Sequence, residues 1–362
     1  MRKKKKKEKR KEKSKSFMLN WRKKITKTQR YFFKVALFCL AAFLIVFGFI
    51  KKNEKVIMPA VNEIKPTEEI VMASTTTNII SGLDVPANGF ANKFAAIMID
   101  NAPEARPQAG LNDALMVWEA PVEGGRTRFM AVFNLSTSTL RVGPVRSARP
   151  FFLDWAKEVN AVYFHVGGSP EALARIKAEK IFNVNEFYRG AYFWRDSVRL
   201  APHNVFISLK NVVVARDTEK NKFKGKEIES WFFKKDVENP AGENGREKEI
   251  NFGETLVKWV YNRTENNYKR WIDLVSHKDD RGKQIAAKNV ILQYVKTQTL
   301  DDVGRLKIEN IGRGKALILK DGKEIIGGWE KKESASRTRF FGPDTKEIIF
   351  NQGVTWIEVV PN

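Results

Sequence analysis

The chain has 362 residues, of which 43% are hydrophobic and 30% are charged. This composition excludes a disordered chain, and the length predicts more than one domain. The formal net charge is +23, but residues 1–30 hold 16 Lys and Arg against 2 Glu and so carry +14 of it. The excess charge therefore belongs to a terminal tail and does not indicate a nucleic-acid-binding fold.

The basic tail is followed by a hydrophobic stretch long enough to cross a bilayer. Val35–Ile50 contains no charged residue, and Tyr31–Phe33 extend the segment to 31–50 across a single Lys. A spanning helix needs about 17–25 apolar residues. The positive-inside rule then predicts a single-pass signal anchor in the cell membrane, with residues 1–30 cytoplasmic and the C-terminal domains extracytoplasmic.

Alternatives remain for both N-terminal segments. A cleaved signal peptide would need a site of small residues after the apolar run, where this chain has Lys51-Lys52-Asn53-Glu54. A lipoprotein signal would need a Cys just past the apolar core, whereas Cys39, the single Cys, lies inside it. We expect the tail to contact anionic lipid head groups. Nucleic-acid binding is the alternative for the tail, but we expect no nucleic acid because no folded motif accompanies the charge.

A Pro- and Thr-containing stretch at 51–82 is typical of a linker, and two exterior domains are predicted after it. The first, over 83–220, is predicted to be α/β (or α+β). Its strand candidates lie at 94–99, 114–118, 129–133 and 161–164, and its helix candidates lie at 154–160 and 170–180. Ser169 followed by Pro170 predicts the start of the second helix.

The second exterior domain, over 226–360, is predicted to be mainly antiparallel β. Apolar and polar residues alternate in segments such as 256–261 and 268–271, and Asp321-Gly322 between two such runs is a hairpin signal. The polar composition of 219–248 places the boundary between the domains near 220–225.

Polar phrases broken by Gly and Pro stand at the predicted strand ends of the first domain. In order they are Met98-Ile99-Asp100-Asn101, Ala105-Arg106-Pro107-Gln108, Val122-Glu123-Gly124-Gly125, Thr127-Arg128-Phe129, Val142-Gly143-Pro144-Val145-Arg146-Ser147-Ala148-Arg149-Pro150 and Ala201-Pro202-His203-Asn204. Through these phrases the chain resembles the YerB-like family of bacterial envelope proteins (domain of unknown function DUF3048). Gly353-Val354-Thr355-Trp356 and three further phrases extend the resemblance to the family's C-terminal domain. Members are typically lipid-anchored, and the resemblance implies no established reaction.

Arginines concentrate in these phrases and predict an anion-binding site. Arg106, Arg128, Arg146 and Arg149 present planar forks suited to carboxylate or phosphate. Backbone N–H groups of Gly167-Gly168-Ser169, before a predicted helix, would add donors, and we expect Ser169 and Asn204 to take part in binding. The structural alternative is that each Arg pairs with an acidic residue, such as Asp100, Glu119, Glu123 or Asp154.

Carboxylates and histidines in the same phrases are candidates for acid/base catalysis. Asp100 or Glu123 would act as the base, and His165 or His203 would act as the acid. His277 is predicted to lie on an exposed loop. Because no two histidines have a metal-ligand spacing and Cys39 has no Cys partner, neither a metal nor a cofactor is expected.

Three functions follow from the sequence. The first is binding of an anionic cell-envelope ligand, such as a peptidoglycan fragment or wall polymer, in a cleft of Arg, Asp, Glu and His side chains. An alternative is an envelope hydrolase acting on cell-wall glycan or polymer. A further alternative is a scaffold whose charged residues only pair with one another.

Overall fold

The computed structural model describes residues 74–218, 227–236 and 247–362. The strands in chain order are β1 (Thr75–Thr77), β2 (Asp84–Pro86), β3 (Phe94–Asp100), β4 (Met116–Pro121), β5 (Thr127–Asn134), β6 (Arg141–Val142), β7 (Val162–His165), β8 (Asn183–Asn185), β9 (Phe193–Arg195), β10 (Val205–Ser208), β11 (Phe232–Lys234), β12 (Glu247–Asn251), β13 (Leu256–Asn262), β14 (Asn267–Ile272), β15 (Val275–Ser276), β16 (Ala286–Ala287), β17 (Asn289–Val295), β18 (Thr297–Thr299), β19 (Leu306–Ile308), β20 (Gly312–Lys320), β21 (Lys323–Lys331), β22 (Arg339–Phe341), β23 (Ile349–Asn351) and β24 (Thr355–Pro361). The α-helices are α1 (Pro150–Glu158), α2 (Pro170–Ala178), α3 (Glu186–Arg189) and α4 (Leu209–Thr218), and short 3₁₀ turns lie at Pro103–Ala105, Leu111–Asp113, Glu123–Gly125 and Gly190–Tyr192.

A mixed ten-stranded sheet runs through most of the described region, in the order β22-β21-β20-β17-β24-β4-β5-β3-β7-β8. The pairs β17/β24, β24/β4, β3/β7 and β7/β8 are parallel, and the remaining pairs are antiparallel. The last strand, β24, is hydrogen-bonded to β4, so the regions 83–220 and 226–360 contribute to the same sheet. The predicted boundary near 220–225 lies outside the described residues.

Both faces of the ten-stranded sheet are buried, which explains why its strands are nearly continuous apolar runs. On one face Ile97, Phe129 and Trp356 belong to a core shared with β10 and β13. On the other face Met98, Met130 and other residues of β3 and β5 belong to a core shared with α1 and α2. Because side chains alternate along a strand, Asp100 falls on the helix-covered face and Glu119, next to Trp118, falls on the opposite face.

The C-terminal region also contains an antiparallel sheet, β12-β13-β14-β15, with β16 on β14. The alternation predicted at 256–261 and 268–271 is confirmed by β13 and β14. Asp321 and Gly322 connect β20 to β21, and both have positive φ (52° and 68°). This geometry confirms the predicted hairpin, because a two-residue turn with positive φ at both positions matches the twist of paired strands.

The strand and helix predictions for the N-terminal region are confirmed by β3, β4, β5, β7, α1 and α2, with ends that differ by a few residues. The linker prediction is wrong for 74–82. There β1 pairs with β2, Ile80 is fully buried, and the Asn78 side chain accepts hydrogen bonds from the Ile80 and Ser81 amides at 3.0 Å. An Asn turn between short Thr- and Val-containing strands satisfies the backbone in a segment that composition alone assigns to a linker.

The predicted tail (1–30) and signal anchor (31–50) lie outside the described residues. Within the described ranges, no helix combines the length and apolar character needed to cross a membrane.

Candidate functional site

Polar residues from separate strand ends meet at one edge of the ten-stranded sheet. Asp100 ends β3 and lies directly opposite Arg128, the second residue of the antiparallel strand β5. Arg146 and Arg149 follow on the segment that leads from β6 into α1, and Glu123 lies in the turn between β4 and β5. These five residues are called the arginine cluster below.

Asp100 is the most buried carboxylate of the arginine cluster. Its side chain is 5% exposed, and its Oδ2 lies 2.8 Å from Arg146 Nε and 2.7 Å from His203 Nδ1. Its Oδ1 accepts a hydrogen bond from the Ala102 amide at 3.1 Å. Burial alone would raise the pKa of Asp100, but Arg146, the Ala102 amide, Arg128 and His203 together hold it below its ordinary value. The carboxylate is therefore ionised at neutral pH.

Glu123 and Arg149 form a bidentate pair. Arg149 Nε and Nη2 donate to the two Glu123 oxygens at 2.7 Å each, and Nη1 donates to the Ala148 carbonyl. Burial acts to raise the pKa of Glu123, but the hydrogen bonds and charge of Arg149 outweigh it and the pKa is lowered. Since its carboxylate is engaged on both oxygens, Glu123 is poorly placed to accept a proton from a substrate.

Arg128 differs from its neighbours because it has no carboxylate within 4 Å among the described residues. It is 7% exposed, its Nη1 donates to the Ser147 carbonyl at 2.8 Å, and its buried Nε has no acceptor in the described part of the chain. Burial, and then repulsion from Arg149 and Arg146, lower the pKa of Arg128 to about 9, although Asp100 and Glu123 act in the opposite direction. The guanidinium remains charged at neutral pH without a paired anion.

The hydroxyl of Tyr163, on β7, is a further buried polar group that has no hydrogen-bond partner in the described part of the chain. Burial raises the pKa of Tyr163, while the charges of Arg128 and Arg149 act to lower it. Arg128 Nε and the Tyr163 hydroxyl are thus buried polar atoms that no described residue satisfies, and each calls for an explanation.

A cleft of about 450 Å³ opens on the His203 side of the arginine cluster. It is lined by Glu104, Arg106, Arg126, Val198, Arg199, Leu200, Ala201 and His203. His203 links the cleft to the arginine cluster, because its Nδ1 contacts Asp100 while its ring lines the cleft. Its Nε2 has no hydrogen-bond partner among the described residues. An imidazole held by a carboxylate at one nitrogen and open at the other is suited to accept a proton.

Known proteins resemble this chain over both regions. The model of the family described as "Protein of unknown function (DUF3048)" matches residues 80–224 with its N-terminal domain and residues 248–357 with its C-terminal domain. This chain belongs to the DUF3048 family. It is 30% identical over 289 residues to the protein named "Putative lipoprotein YerB" of Bacillus subtilis strain 168, a match that covers 78% of this chain and 86% of that relative.

The crystal structure of YerB from Bacillus subtilis confirms the fold. It superposes with a TM-score of 0.71 at 29% identity, covering 79% of this chain and 97% of the solved chain. The YerB-like resemblance predicted from the sequence is therefore confirmed, and so is its extension to both regions.

Two of the predicted site residues of this DUF3048 chain have structural roles. His165 is fully buried, with Nδ1 on the Gly167 carbonyl at 2.6 Å and Nε2 on Asn183 Oδ1 at 3.1 Å, so its expected role as an acid is wrong. Ser169 caps α2 by accepting from the Ala172 amide at 3.2 Å. The Gly167 and Ser169 amides donate to Asn185 Oδ1 and the Ala148 carbonyl, so the turn does not offer the predicted set of free N–H donors.

Of the two remaining predicted residues, Arg106 lines the cleft and Asn204 follows the cleft residue His203 in the chain. Arg106 lines it, but its Nη1 pairs with Asp273 at 2.8 Å and its Nη2 donates to the Asn101 carbonyl. Asn204 is 8% exposed and is held between Arg195 Nη1 and the Arg199 carbonyl. Asn204 therefore fixes the loop that carries His203, and its amide is already occupied.

A second polar group, missed by the sequence reasoning, lies on the opposite face of the ten-stranded sheet. Glu119 and Arg270 are fully buried and pair at 2.6 Å, Arg270 Nη1 donates to His277 Nδ1, and His277 Nε2 donates to Gln108 Oε1 at 2.8 Å. Glu358 lies beside them and accepts from Trp259 Nε1 at 2.7 Å. These residues are called the buried network below.

The buried network also corrects the prediction for His277, which is 3% exposed and not on an exposed loop. Burial, then the charges of Arg270 and Arg106, lower the pKa of His277 well below its ordinary value, so the ring is neutral. A signal for this network was present in the sequence. Arg270 stands between Tyr268 and Ile272 on the buried face of an alternating strand, and Glu358 shares a face with Trp356. A charged residue in an apolar register predicts a buried partner.

Proposed function

We propose that this protein is tethered to the cell membrane, lies in the bacterial envelope and binds an anionic envelope ligand at the arginine cluster. The name of the Bacillus subtilis relative supports the envelope location. In this chain the predicted signal anchor, 31–50, would act as the tether, because Cys39 lies inside the anchor and does not follow it. The ligand class is a carboxylate or a phosphate of a peptidoglycan fragment or wall polymer.

The observation that carries the proposal is the surplus cation of the arginine cluster. Three guanidinium groups face two carboxylates; Asp100 is paired with Arg146, Glu123 is paired with Arg149, and Arg128 is left with one carbonyl acceptor. Keeping a cation buried without a paired anion costs folding free energy. A bound carboxylate or phosphate would offset that cost and fits the planar donor fork of Arg.

Binding of two soluble probes to the full chain in nanodiscs of neutral lipid tests the proposal. The probes are a muramyl peptide, which carries carboxylates, and an oligomer of glycerol phosphate. We expect wild type to bind at least one of them and Arg128→Met to weaken that binding by about tenfold or more, because a hydrogen bond to a charged group contributes roughly 1.5–3 kcal/mol. Isothermal titration calorimetry measures the affinities.

Arg313→Met is the matched control, because the Arg313 side chain is 83% exposed on β20. We expect it to bind as wild type does. The proposal is contradicted by equal affinities of wild type and Arg128→Met for a bound probe, or by failure of wild type to bind either probe.

A hydrolase is the second candidate, favoured by the contact between His203 and Asp100 at the cleft. His203 Nε2 would accept a proton from water, whose oxygen forms a bond to the carbon or phosphorus of a bound ester. The proton would then pass to the leaving oxygen as its bond breaks. Asp100 would hold the ring and stabilise the imidazolium, so it assists His203 and is not itself the base.

Turnover separates this candidate from binding alone. If the protein is a hydrolase, His203→Gln should abolish release of product from the glycerol phosphate oligomer while calorimetry still detects binding. If wild type turns over neither probe at concentrations that saturate binding, the hydrolase candidate is excluded for these probes and only the binding function is supported.

A further inference from the structure

Exposed large hydrophobic side chains are concentrated in one short part of the described chain. Within 187–200, Phe187 is 66% exposed, Tyr188 77%, Val198 92% and Leu200 85%, and Trp194 is also exposed. Large apolar side chains exposed singly need no explanation, but a group of them next to a cleft marks an interaction surface. This group is called the apolar segment below.

Contacts show that the apolar segment is continuous with the cleft. Val198 and Leu200 line the cleft themselves. Trp194 stacks on Phe206 with centroids 6.3 Å apart, and the Arg199 guanidinium lies 5.4 Å from the same ring. The helix α3 carries Phe187 and Tyr188. Arg195 connects α3 to the loop before β10, because it contacts both Glu186 and Asn204. The surface therefore extends from α3 to the mouth of the cleft.

The charge interleaved with these side chains is mainly positive. Arg189, Arg195 and Arg199 lie within the apolar segment. Its one acidic residue, Asp196, is paired with Arg141, and Glu186, which precedes it, is paired with Arg195. Arg199 donates to the Ala105 and Pro107 carbonyls and has no carboxylate within 4 Å among the described residues. Arg126, 46% exposed, also lines the cleft, with its Nη1 3.8 Å from the carboxylate of the exposed Glu104. Aromatic and aliphatic side chains mixed with Arg are typical of contact with an anionic lipid surface.

We propose that the apolar segment docks on an anionic lipid bilayer, with a phosphate head group entering the cleft between Arg126 and Arg199. Val198, Leu200, Phe187 and Tyr188 would contact the head-group and acyl boundary. The predicted anchor supports this occupant, because only 23 residues separate its end at Ile50 from Ser74. At roughly 3.3–3.6 Å per extended residue, the described region cannot move more than about 80 Å from the bilayer. His203 connects the cleft to Asp100 of the arginine cluster, but lipid docking does not require a ligand at Arg128.

Hydrogen exchange of the full chain in nanodiscs tests the proposal, using phosphatidylcholine alone and phosphatidylcholine mixed with phosphatidylglycerol. We expect the amides of 187–200 to exchange at least about fivefold more slowly in the anionic discs. The variant V198S/L200S should lose that protection. The Val198 and Leu200 side chains are almost fully exposed, so the variant should fold as wild type does. Ile326→Ser on β21 is the matched control, because Ile326 is 77% exposed and lies outside the apolar segment.

Four outcomes would overturn the proposal. The first is equal exchange in both kinds of disc, and the second is full protection in V198S/L200S. The third is equal protection in neutral discs to which soluble glycerol phosphate has been added. The fourth is protection in neutral discs that grows with protein concentration, which would show self-association. Arg128→Met should keep the protection, so failure of the ligand proposal and failure of this proposal are distinguishable.

Discussion

The arginine cluster and the buried network contain the same residue types on opposite faces of one sheet, but they differ in exposure and in charge balance. In the buried network Glu119 accepts hydrogen bonds from Asn101, Thr127 and Arg270, and neither Glu119 nor Arg270 is exposed. In the arginine cluster the side chains of Arg146, Arg149 and Glu123 are 15–23% exposed and Arg128 lacks a paired anion. Residue type therefore does not distinguish the two groups, whereas solvent access and the pairing of charges do.

The largest expected effect is that of Arg270→Met in the buried network. The substitution leaves Glu119 buried without a cation, and loss of one partner of a buried ion pair costs about 3–5 kcal/mol. Urea denaturation measures the free energy of unfolding. The double variant R270M/E119Q should recover a large part of the loss, because it also removes the unpaired charge. A cost below about 1 kcal/mol for Arg270→Met would show that the network is not structural.

Asp100→Asn should cost about 2–3 kcal/mol at neutral pH, because Arg146 and His203 lose the carboxylate that they contact and Arg128 loses a neighbouring negative charge. The pKa of Asp100 is lower in the folded chain than its ordinary value of 3.8. Its contribution is therefore complete above pH 3.8 and is lost as the pH falls through the folded-state pKa. The free energies of unfolding of wild type and variant, measured by urea denaturation, should converge in acid. A difference that stays constant from pH 7 to pH 2 would contradict the lowered pKa of Asp100.

Glu358→Gln should stabilise the protein at neutral pH, by about 1–2 kcal/mol. Burial, and then the charge of Glu119, raise the pKa of Glu358 well above 4.5. Wild type then loses stability as the pH rises from 4.5 towards the folded-state pKa, with a slope of at most about 1.4 kcal/mol per pH unit. Gln keeps an oxygen for Trp259 Nε1 and removes the titration, so thermal unfolding between pH 5 and pH 8 should be flatter in the variant. An unchanged slope would indicate that Glu358 is ionised in the fold.

The smallest expected effect is that of Arg128→Met, which should change the free energy of unfolding by about 1 kcal/mol or less, in the stabilising direction. The variant removes an unpaired buried cation and keeps the volume of the side chain. Residues kept for function often have this cost in stability. A loss above about 2 kcal/mol would support the scaffold hypothesis, in which the cluster is purely structural.

Local sequence patterns determined several strands and helices of this protein, among them β3, β4, β5, β7, α1 and α2, and the location of its polar residues. The apolar runs before Asp100 and His165 became β3 and β7, and Ser169-Pro170 began α2, because periodicity, capping and turn chemistry act over a few residues. The conclusion that Asp100, Arg128, Arg146 and Arg149 lie at strand ends or in adjacent loops also required no tertiary information.

Only the tertiary structure decided which of those residues meet. Asp100 and Glu119 stand at the ends of two strands of one sheet, but alternation places them on opposite faces, one in a partly exposed cluster and the other in a closed network. His165 and His203 occupy similar phrases, but the first is buried and bonded to Asn183 of the neighbouring strand β8, while the loop before β10 carries the second to a cleft. The pairing of β24 with β4 joins residues more than 230 positions apart. Charge balance and access arise from such long-range contacts, so local sequence patterns alone cannot determine them.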